Sequence, residues 1–297
     1  EEEATISEKA WRTEGSRMFI EVGTRVTVKD LLLGMIVQSG NDASVALAER
    51  VAGTESVFAE LMNQHATRLG MHSSHFVNAT GLPAEGHTTT ARDLATLARA
   101  LIDEFPDLYP WHAIKEFTYN DIRQSNRNGL LWRDDSVDGL KTGHTEDAGY
   151  CLVASAKRKD MRVVSVVLGT SSTKARSEGC LALINYGFRF FETRLLFKAG
   201  EAVTDARIWK SANENTALGL LDDLYITVRR GAYDQLESTM NIPAVLVAPV
   251  NTGQPLAEIA VKLGDETLLT APLRALEDNP EGSLWQRMRD GVSLWFE

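Results

Sequence analysis

The 297-residue chain has only two cysteines, no long apolar run and no excess of basic residues. Two thiols, Cys151 and Cys180, do not make a disulfide framework. No run of 18 apolar residues occurs, so no segment has the composition of a membrane-spanning helix. Lysine and arginine total 31 against 41 acidic residues, a net charge of −10. A chain this acidic lacks the basic face that nucleic-acid phosphates require, so we expect no nucleic-acid partner.

Hydrophobic patterning divides the chain into three parts. Residues 1–193 mix helical and strand-like spacing, which predicts an α/β (α+β) domain. In residues 194–281 the helical spacing stops, and short alternating runs separated by turns predict a small all-β domain. Residues 282–297 return to helical spacing with a strongly amphipathic pattern.

Within the first part, local signals place several elements. The helical pattern is interrupted at residues 39–41, and Thr54 and Thr90 stand where helix N-caps are expected. Strand-like runs cover 150–156 and 161–168, separated by a polar turn. The interruption and the strand pair matter most, because two short motifs lie beside them.

The amphipathic C-terminal segment carries a stripe of large apolar side chains. Its members fall within about one third of a helical wheel: Leu284, Trp285, Met288, Val292, Trp295 and Phe296. Two interpretations remain open, a helix packed on the all-β domain and a helix lying in a membrane interface. We expect residues 283–297 to bind a membrane surface, since the segment is too short to cross a bilayer.

Two tripeptides have the composition of a serine acyl-transfer site. Ser39-Gly40-Asn41 stands at the break between helices, and Lys141-Thr142-Gly143 leads into the strand pair. Enzymes with a serine/lysine catalytic set use S-x-x-K, then S-x-N, then K-T-G. A hydroxyl and a desolvated amine can pass protons. An asparagine amide can hold a substrate carbonyl, and a strand edge can pair with an extended peptide.

Longer runs around these motifs resemble the D-alanyl-D-alanine carboxypeptidases of the penicillin-binding protein 5/6 type. These runs are QSGNDA at 38–43, RNGLLW at 127–132, DGLKTGHT at 138–145 and GFRFFET at 187–193. The resemblance covers essentially the whole chain. It implies a penicillin-binding/β-lactamase-like transpeptidase domain followed by a β-rich domain. It also implies a periplasmic enzyme that removes the terminal D-Ala of peptidoglycan stem peptides, is acylated by β-lactams and needs no cofactor or metal.

The resemblance also assigns roles to individual residues. Ser39 and Asn41 match the S-x-N pair with Gly40 between them, and Lys141 matches the K-T-G lysine. The remaining implied substrate-binding residues are Thr142, Gly143, His144, Arg127 and Arg176. The backbone N–H of His144 matches half of the oxyanion hole. Arg176 matches the arginine that receives the terminal carboxylate of the substrate, for which a guanidinium fork is well suited.

The nucleophile segment S-x-x-K is missing from its expected place before Ser39. Neither Ser7 nor Ser16 is followed three residues later by lysine. One formal match, Ser171–Lys174, follows K-T-G, and we expect Ser171 to cap a helix instead. We therefore expect that the domain is N-terminally incomplete and that the 297 residues alone are inactive.

Three other interpretations are weaker. A glutamate before an asparagine, Glu116 and Asn120, resembles the class A β-lactamase arrangement, but it falls in a strand-like stretch. His72 and His75 suggest a metal pair without supporting ligands. A non-catalytic relative that binds peptidoglycan or the membrane is the alternative from a different functional class.

Overall fold

In the computed structural model, residues 2–294 are described, and the chain divides into two units, Glu1–Phe188 and Arg189–Glu297. The helices of the first unit are α1 (Glu8–Arg12), α2 (Val28–Leu33), α3 (Asn41–Ala52), α4 (Glu55–Arg68), α5 (Ala91–Glu104) and α6 (Thr173–Phe190). The predicted caps are confirmed: Thr54 Oγ1 accepts from Val57 N, and Thr90 Oγ1 accepts from Asp93 N. Both threonines satisfy a backbone donor that the first helical turn leaves unpaired.

The described residues of the first unit contain seven strands. They are β1 (Glu3–Thr5), β2 (Arg25–Thr27), β3 (Glu116–Tyr119), β4 (Ile122–Ser125), β5 (Val137–Thr145), β6 (Gly149–Arg158) and β7 (Met161–Thr170). β5, β6 and β7 form an antiparallel sheet in that order. The predicted strand pair corresponds to β6 and β7, and the valines of β7 lie on both faces of the sheet. In the described part of the chain, β5 is therefore an edge strand, and it carries the K-T-G motif.

Buried side chains on both sides of these strands fix the position of β5. Leu152, Ala154 and Ala156 of β6 pack against Cys180 and Ile184 of α6. On the opposite face, Leu140 and Val153 pack with Ala98 of α5 and Tyr109. The alternation of β6 thus buries one set of side chains against each helix. A further cluster, centred on α3, contains Ala43, Val45 and Ala46.

The second unit is largely antiparallel β structure, as its alternating pattern predicts. Its strands are β8 (Phe191–Phe197), β9 (Ala202–Arg207), β10 (Asn215–Gly219), β11 (Leu224–Arg229), β12 (Leu236–Asn241), β13 (Pro255–Leu263) and β14 (Glu266–Ala275). Five of them form a sheet in the order β12-β13-β14-β10-β9, and β8 pairs with β11. Ile259, Leu273 and Leu218 lie in the core of the five-stranded sheet.

The second unit ends with α7 (Leu284–Ser293), which begins at a capping box of Ser283 and Gln286. Its polar face packs inward: Asp290 is 6% exposed and accepts from Lys210 N at 2.8 Å. Its apolar face points outward, with Leu284 and Trp285 more than three quarters exposed. Trp295, Phe296 and Glu297, which complete the predicted stripe and polar face, lie outside the described residues.

The arginines of α7, Arg287 and Arg289, have acidic partners in the second unit. Arg289 contacts Asp290 at 3.0 Å and Arg287 contacts Glu281 at 2.6 Å, so both guanidinium groups are paired within the unit. Within residues 2–294, no helix is both long and apolar enough to cross a membrane.

Candidate active site

Ser39 lies in a sharp turn between two helical segments. A π-helical turn, Gly34–Gln38, continues α2, and Ser39 then adopts a left-handed conformation with φ 62° and ψ 38°. Gly40 returns to extended backbone, and Asn41 begins α3. The predicted helix interruption is therefore a turn that ends one helix and precedes the next. Left-handed backbone at a residue other than glycine is uncommon and often marks a functional turn.

Lys141 extends from β5 to this turn. Its Nζ donates a hydrogen bond to Ser39 Oγ and another, of 3.0 Å, to the carbonyl of Thr142. Burial of the amine, followed in importance by the nearby charges of Arg127 and Arg176, lowers the pKa of Lys141 to about 8. Loss of hydration and like charges both favour the neutral amine. At neutral pH the group is thus a cation whose proton is easily transferred.

Asn41 is held by a segment that precedes it by about 25 residues. Its side-chain Nδ2 donates to the carbonyl of Glu14 at 2.8 Å, and its backbone N donates to the carbonyl of Ser16 at 2.8 Å. The amide therefore has a fixed orientation beside Ser39. No local sequence signal predicts these two contacts, because their partners are distant in the sequence.

The two predicted arginines differ in their surroundings. Arg127 is exposed, and its Nε donates to the carbonyl of Gln38 at 3.0 Å. Arg176 is 6% exposed, and its Nη1 donates to the carbonyls of Gly143 and Cys151 at 3.0 and 3.4 Å. Burial is the main cause of a lowered pKa for Arg176. Arg176 thus lies directly against the K-T-G strand.

A cavity of about 770 Å³ joins these groups. The predicted site residues that line it are Ser39, Asn41, Arg127, Lys141, Thr142, Gly143, His144 and Arg176. Gly40 does not line the cavity; it is buried behind the turn. Sequence reasoning missed Tyr150, whose ring stacks against the His144 ring at a centroid distance of 4.0 Å. Only the register of β5 and β6, which pairs these two residues, could have indicated it.

A loop of four residues, 79–82, forms another part of the cavity wall that sequence reasoning missed. Asn78 shapes this loop, because its Oδ1 accepts from the N–H groups of Thr80 and Gly81 at 3.1 and 2.7 Å. An asparagine that binds the backbone two or three residues onward is a recognisable turn signal. That signal predicts the turn but not its position at the site.

Of the serines considered as nucleophiles, Ser7 and Ser171 do not line the cavity, whereas Ser16 does. Ser7 caps α1 and donates to Glu49 at 2.6 Å. Ser171 is exposed, and Lys174 contacts Glu178 at 3.8 Å. The capping role expected of Ser171 belongs to its neighbour, because Ser172 Oγ accepts from Ala175 N. The prediction was wrong by one residue.

The residues that suggested other chemistry also lie elsewhere. Glu116 pairs with Arg123 across the β3–β4 hairpin. His75 forms an isolated bridge with Thr88. Among residues 2–294, no group of three potential metal ligands comes together.

A serine hydroxyl bonded to a lysine amine, beside a fixed asparagine and an edge strand, defines a serine acyl-transfer site of the penicillin-binding class. Family comparisons agree with this geometry. The family model described as D-alanyl-D-alanine carboxypeptidase matches residues 1–172. The model described as penicillin-binding protein 5, C-terminal domain, matches residues 191–281. The chain therefore belongs to the D-alanyl-D-alanine carboxypeptidase family of serine peptidases, and the predicted resemblance and fold class are confirmed.

Individual relatives extend over nearly the whole chain. D-alanyl-D-alanine carboxypeptidase DacA of Escherichia coli (strain K12) is 39% identical over 98% of this chain and 74% of its own length. DacF of Bacillus subtilis (strain 168) is 33% identical over 97% of this chain and 76% of its own length. The structure of penicillin-binding protein 5 from Haemophilus influenzae superimposes with a TM-score of 0.81 at 36% identity, covering 94% of this chain and 83% of that one.

Proposed function

We propose that the cavity beside Ser39 binds the D-Ala-D-Ala end of peptidoglycan stem peptides and, together with the nucleophilic serine of an S-x-x-K segment outside residues 1–297, supports its hydrolysis through an acyl-enzyme. The observation that carries the proposal is the hydrogen bond from Lys141 Nζ to Ser39 Oγ. This hydrogen bond joins an amine of lowered pKa to a hydroxyl group. Both groups line a cavity large enough for the C-terminal residues of a peptide. β-Lactams, which mimic D-Ala-D-Ala, are the expected inhibitors.

Each group then has a distinct task. Ser39 and Lys141 pass the proton that is exchanged between the nucleophile and the leaving amine. Asn41 and the outer edge of β5 hold the substrate backbone, since an edge strand leaves its outward N–H and C=O groups unpaired. The backbone N–H of His144 contributes to the oxyanion hole.

Arg176 supplies the selectivity for a free carboxylate. Its guanidinium is nearly buried and lies against the carbonyls of Gly143 and Cys151, so its position is fixed. A fixed, partly desolvated cation favours a substrate that ends in a carboxylate over one that ends in an amide. This preference is what makes the reaction a carboxypeptidase reaction.

Lys141→Ala in the full gene product tests the proposal. We expect acylation by a labelled penicillin and peptidase turnover to fall by about 10²–10³, the usual effect of losing one electrostatic stabiliser. Lys174→Ala is the matched control, because Lys174 is exposed and outside the cavity. Retention of acylation in the Lys141 variant, at the level of the control, would contradict the proposal.

We further propose that the enzyme works in the periplasm, attached to the outer face of the inner membrane by α7. The apolar side chains Leu284, Trp285, Met288 and Val292 are 78%, 76%, 65% and 64% exposed, and they share the outward face of the helix. Burying four such side chains contributes roughly 4–8 kcal/mol before the loss of free motion is subtracted. Because Arg287 and Arg289 are paired within the unit, the apolar face supplies most of the affinity.

Deletion of α7 does not test this membrane proposal, because Asp290 bonds Lys210 and its removal disturbs the second unit itself. The double variant Trp285→Glu/Met288→Glu changes only exposed positions. We expect it to lose co-sedimentation with liposomes containing anionic lipid. The control is Leu221→Glu/Val245→Glu, exposed apolar residues elsewhere in the same unit. Equal binding by both variants would refute the role of α7.

A further inference from the structure

Asp42, which directly follows the S-G-N motif, is a fully buried carboxylate that the reaction described above does not use. It is 0% exposed and lies in the first turn of α3. Within residues 2–294, no lysine or arginine forms an ion pair with it. Its oxygens accept backbone N–H groups instead: Oδ1 accepts from Met18 and Ala43 at 3.0 and 2.9 Å, and Oδ2 accepts from Phe19 at 3.0 Å.

The segment bound by Asp42 is the same one that holds Asn41. We call residues 14–20 the strap. Glu14 and Ser16 accept the two hydrogen bonds of Asn41, and Met18 and Phe19 donate to Asp42. Two adjacent residues of α3 therefore fix both ends of the strap, Asn41 through its donors and Asp42 through its acceptors.

The backbone of the strap depends on an anion at this place. Phe19 has a φ of 70°, a left-handed conformation in a residue other than glycine, and its side chain is 47% exposed. This conformation turns the successive N–H groups of Met18 and Phe19 toward one point. Converging N–H groups of this kind form a concave site that suits a negative charge. The exposed Phe19 side chain does not explain the conformation, whereas the Asp42 carboxylate does.

We propose that Asp42 is a positioning residue, which holds the strap so that the strap carbonyls orient the Asn41 amide toward substrate. The proposal rests on the proposed function only for the role of Asn41 in binding substrate. Asp42→Asn keeps the size of the side chain but replaces one acceptor by a donor, which then faces a backbone donor. The strap must shift to relieve this conflict, and the hydrogen bond between Asn41 Nδ2 and Glu14 is lost with it.

Asp93→Asn is a closely matched control. Asp93 is 6% exposed, lies in the first turn of α5 and accepts from Ser73 N and Ser74 Oγ at 2.9 and 2.7 Å. It does not line the cavity. Both substitutions remove a buried carboxylate that binds backbone, so both should lower the unfolding temperature. A loss of stability alone does not distinguish them.

The first measurement uses the 297-residue chain and needs no catalysis. Amide NMR follows the Asn41 side-chain NH₂ and the backbone N–H groups of Met18 and Phe19. We expect Asp42→Asn to shift the Asn41 NH₂ signals and to speed hydrogen exchange at Met18 and Phe19 at least tenfold, with no change at these groups in Asp93→Asn. Unchanged Asn41 signals in Asp42→Asn, or equal changes in both variants, would overturn the proposal.

The second measurement uses the full gene product and a peptide ending in D-Ala-D-Ala. We expect Asp42→Asn to raise KM at least tenfold with a smaller effect on kcat, and to add little further loss to Asn41→Ala, because both changes remove the same interaction. Independent losses that simply add would refute positioning through Asn41. Full turnover in Asn41→Ala would instead refute the proposed role of Asn41, while the NMR result still decides the role of Asp42. If Asp42→Asn does not fold, Asp42→Ser, whose hydroxyl hydrogen can rotate away from the strap N–H groups, is measured in the same way.

Discussion

Replacing Lys141 by methionine should make the chain more stable while removing the active-site cation. Burial and two neighbouring arginines hold the pKa of Lys141 at about 8, below its ordinary value of 10.5. The native state therefore releases this proton at a lower pH than the unfolded chain does. Below pH 8 the charged amine lowers the free energy of unfolding by its full amount. This destabilisation disappears as the pH rises toward 10.5.

The size of the effect follows from the difference between the two pKa values of Lys141. A pKa of about 8 in the native state and 10.5 in the unfolded chain corresponds to a destabilisation of at most about 3 kcal/mol, at about 1.4 kcal/mol for each pKa unit. Lys141 is half-buried, and methionine also loses the hydrogen bonds to Ser39 and Thr142. We therefore expect Lys141→Met to gain about 2 kcal/mol at pH 6.5 and less than about 1 kcal/mol at pH 9.5.

Urea unfolding at these two pH values measures the gain. Lys174→Met is the control, since Lys174 is 80% exposed, and it should differ little from the wild type at either pH. A gain that is the same at pH 6.5 and 9.5 would show that the amine is not desolvated. A loss of stability at pH 6.5 would show that its hydrogen bonds outweigh its burial. Either result would refute the electrostatic description of this site.

Three further changes have defined outcomes. Arg127→Ala should raise the pKa of Lys141, because Arg127 lowers that pKa more than Arg176 does. NMR titration of labelled lysine measures the pKa, and an unchanged value would contradict the prediction. Arg176→Ala should slow turnover of peptides ending in a carboxylate more than that of the matching amides, and equal losses would make Arg176 structural. The 297-residue chain should gain no mass on incubation with penicillin, whereas an adduct at Ser171 would overturn its rejection as a nucleophile.

Local signals predicted much of the fold. Thr54 and Thr90 each place a hydroxyl where a helix leaves backbone donors unpaired, so their positions are set by neighbouring residues alone. The turn at Ser39 was predicted as an interruption, but not as a left-handed residue after a π-helical turn. That conformation depends on contacts such as the one from Gly40 N to the Gly34 carbonyl. The order of the five strands in the second unit was not predictable, because alternation indicates strands but not their partners.

Some features of the candidate site could likewise be predicted from the sequence, and others could not. Ser39 and Lys141, which the motifs assign to one site, are in contact although they lie 102 positions apart in the sequence. The contacts between the strap and Asn41 could not be predicted from the sequence, since they are made by the backbone carbonyl groups of Glu14 and Ser16, which any residue type supplies. The apolar stripe of α7 was visible, but the periodicity could not show that the opposite, polar face packs on the β structure.

The contacts of α7 prevent it from turning about its own axis. Asp290 and Gln286 bond the backbone of Lys210 and Ala212, so the helix is ordered and its rotation is set before any surface is present. A segment that folds only on contact with a surface loses conformational entropy at that moment. Here the ordering has already taken place, so the membrane attachment that we propose would require no folding step. We expect attachment and release to be rapid, and the residence time to depend on how deeply a few side chains, Trp285 above all, enter the interface.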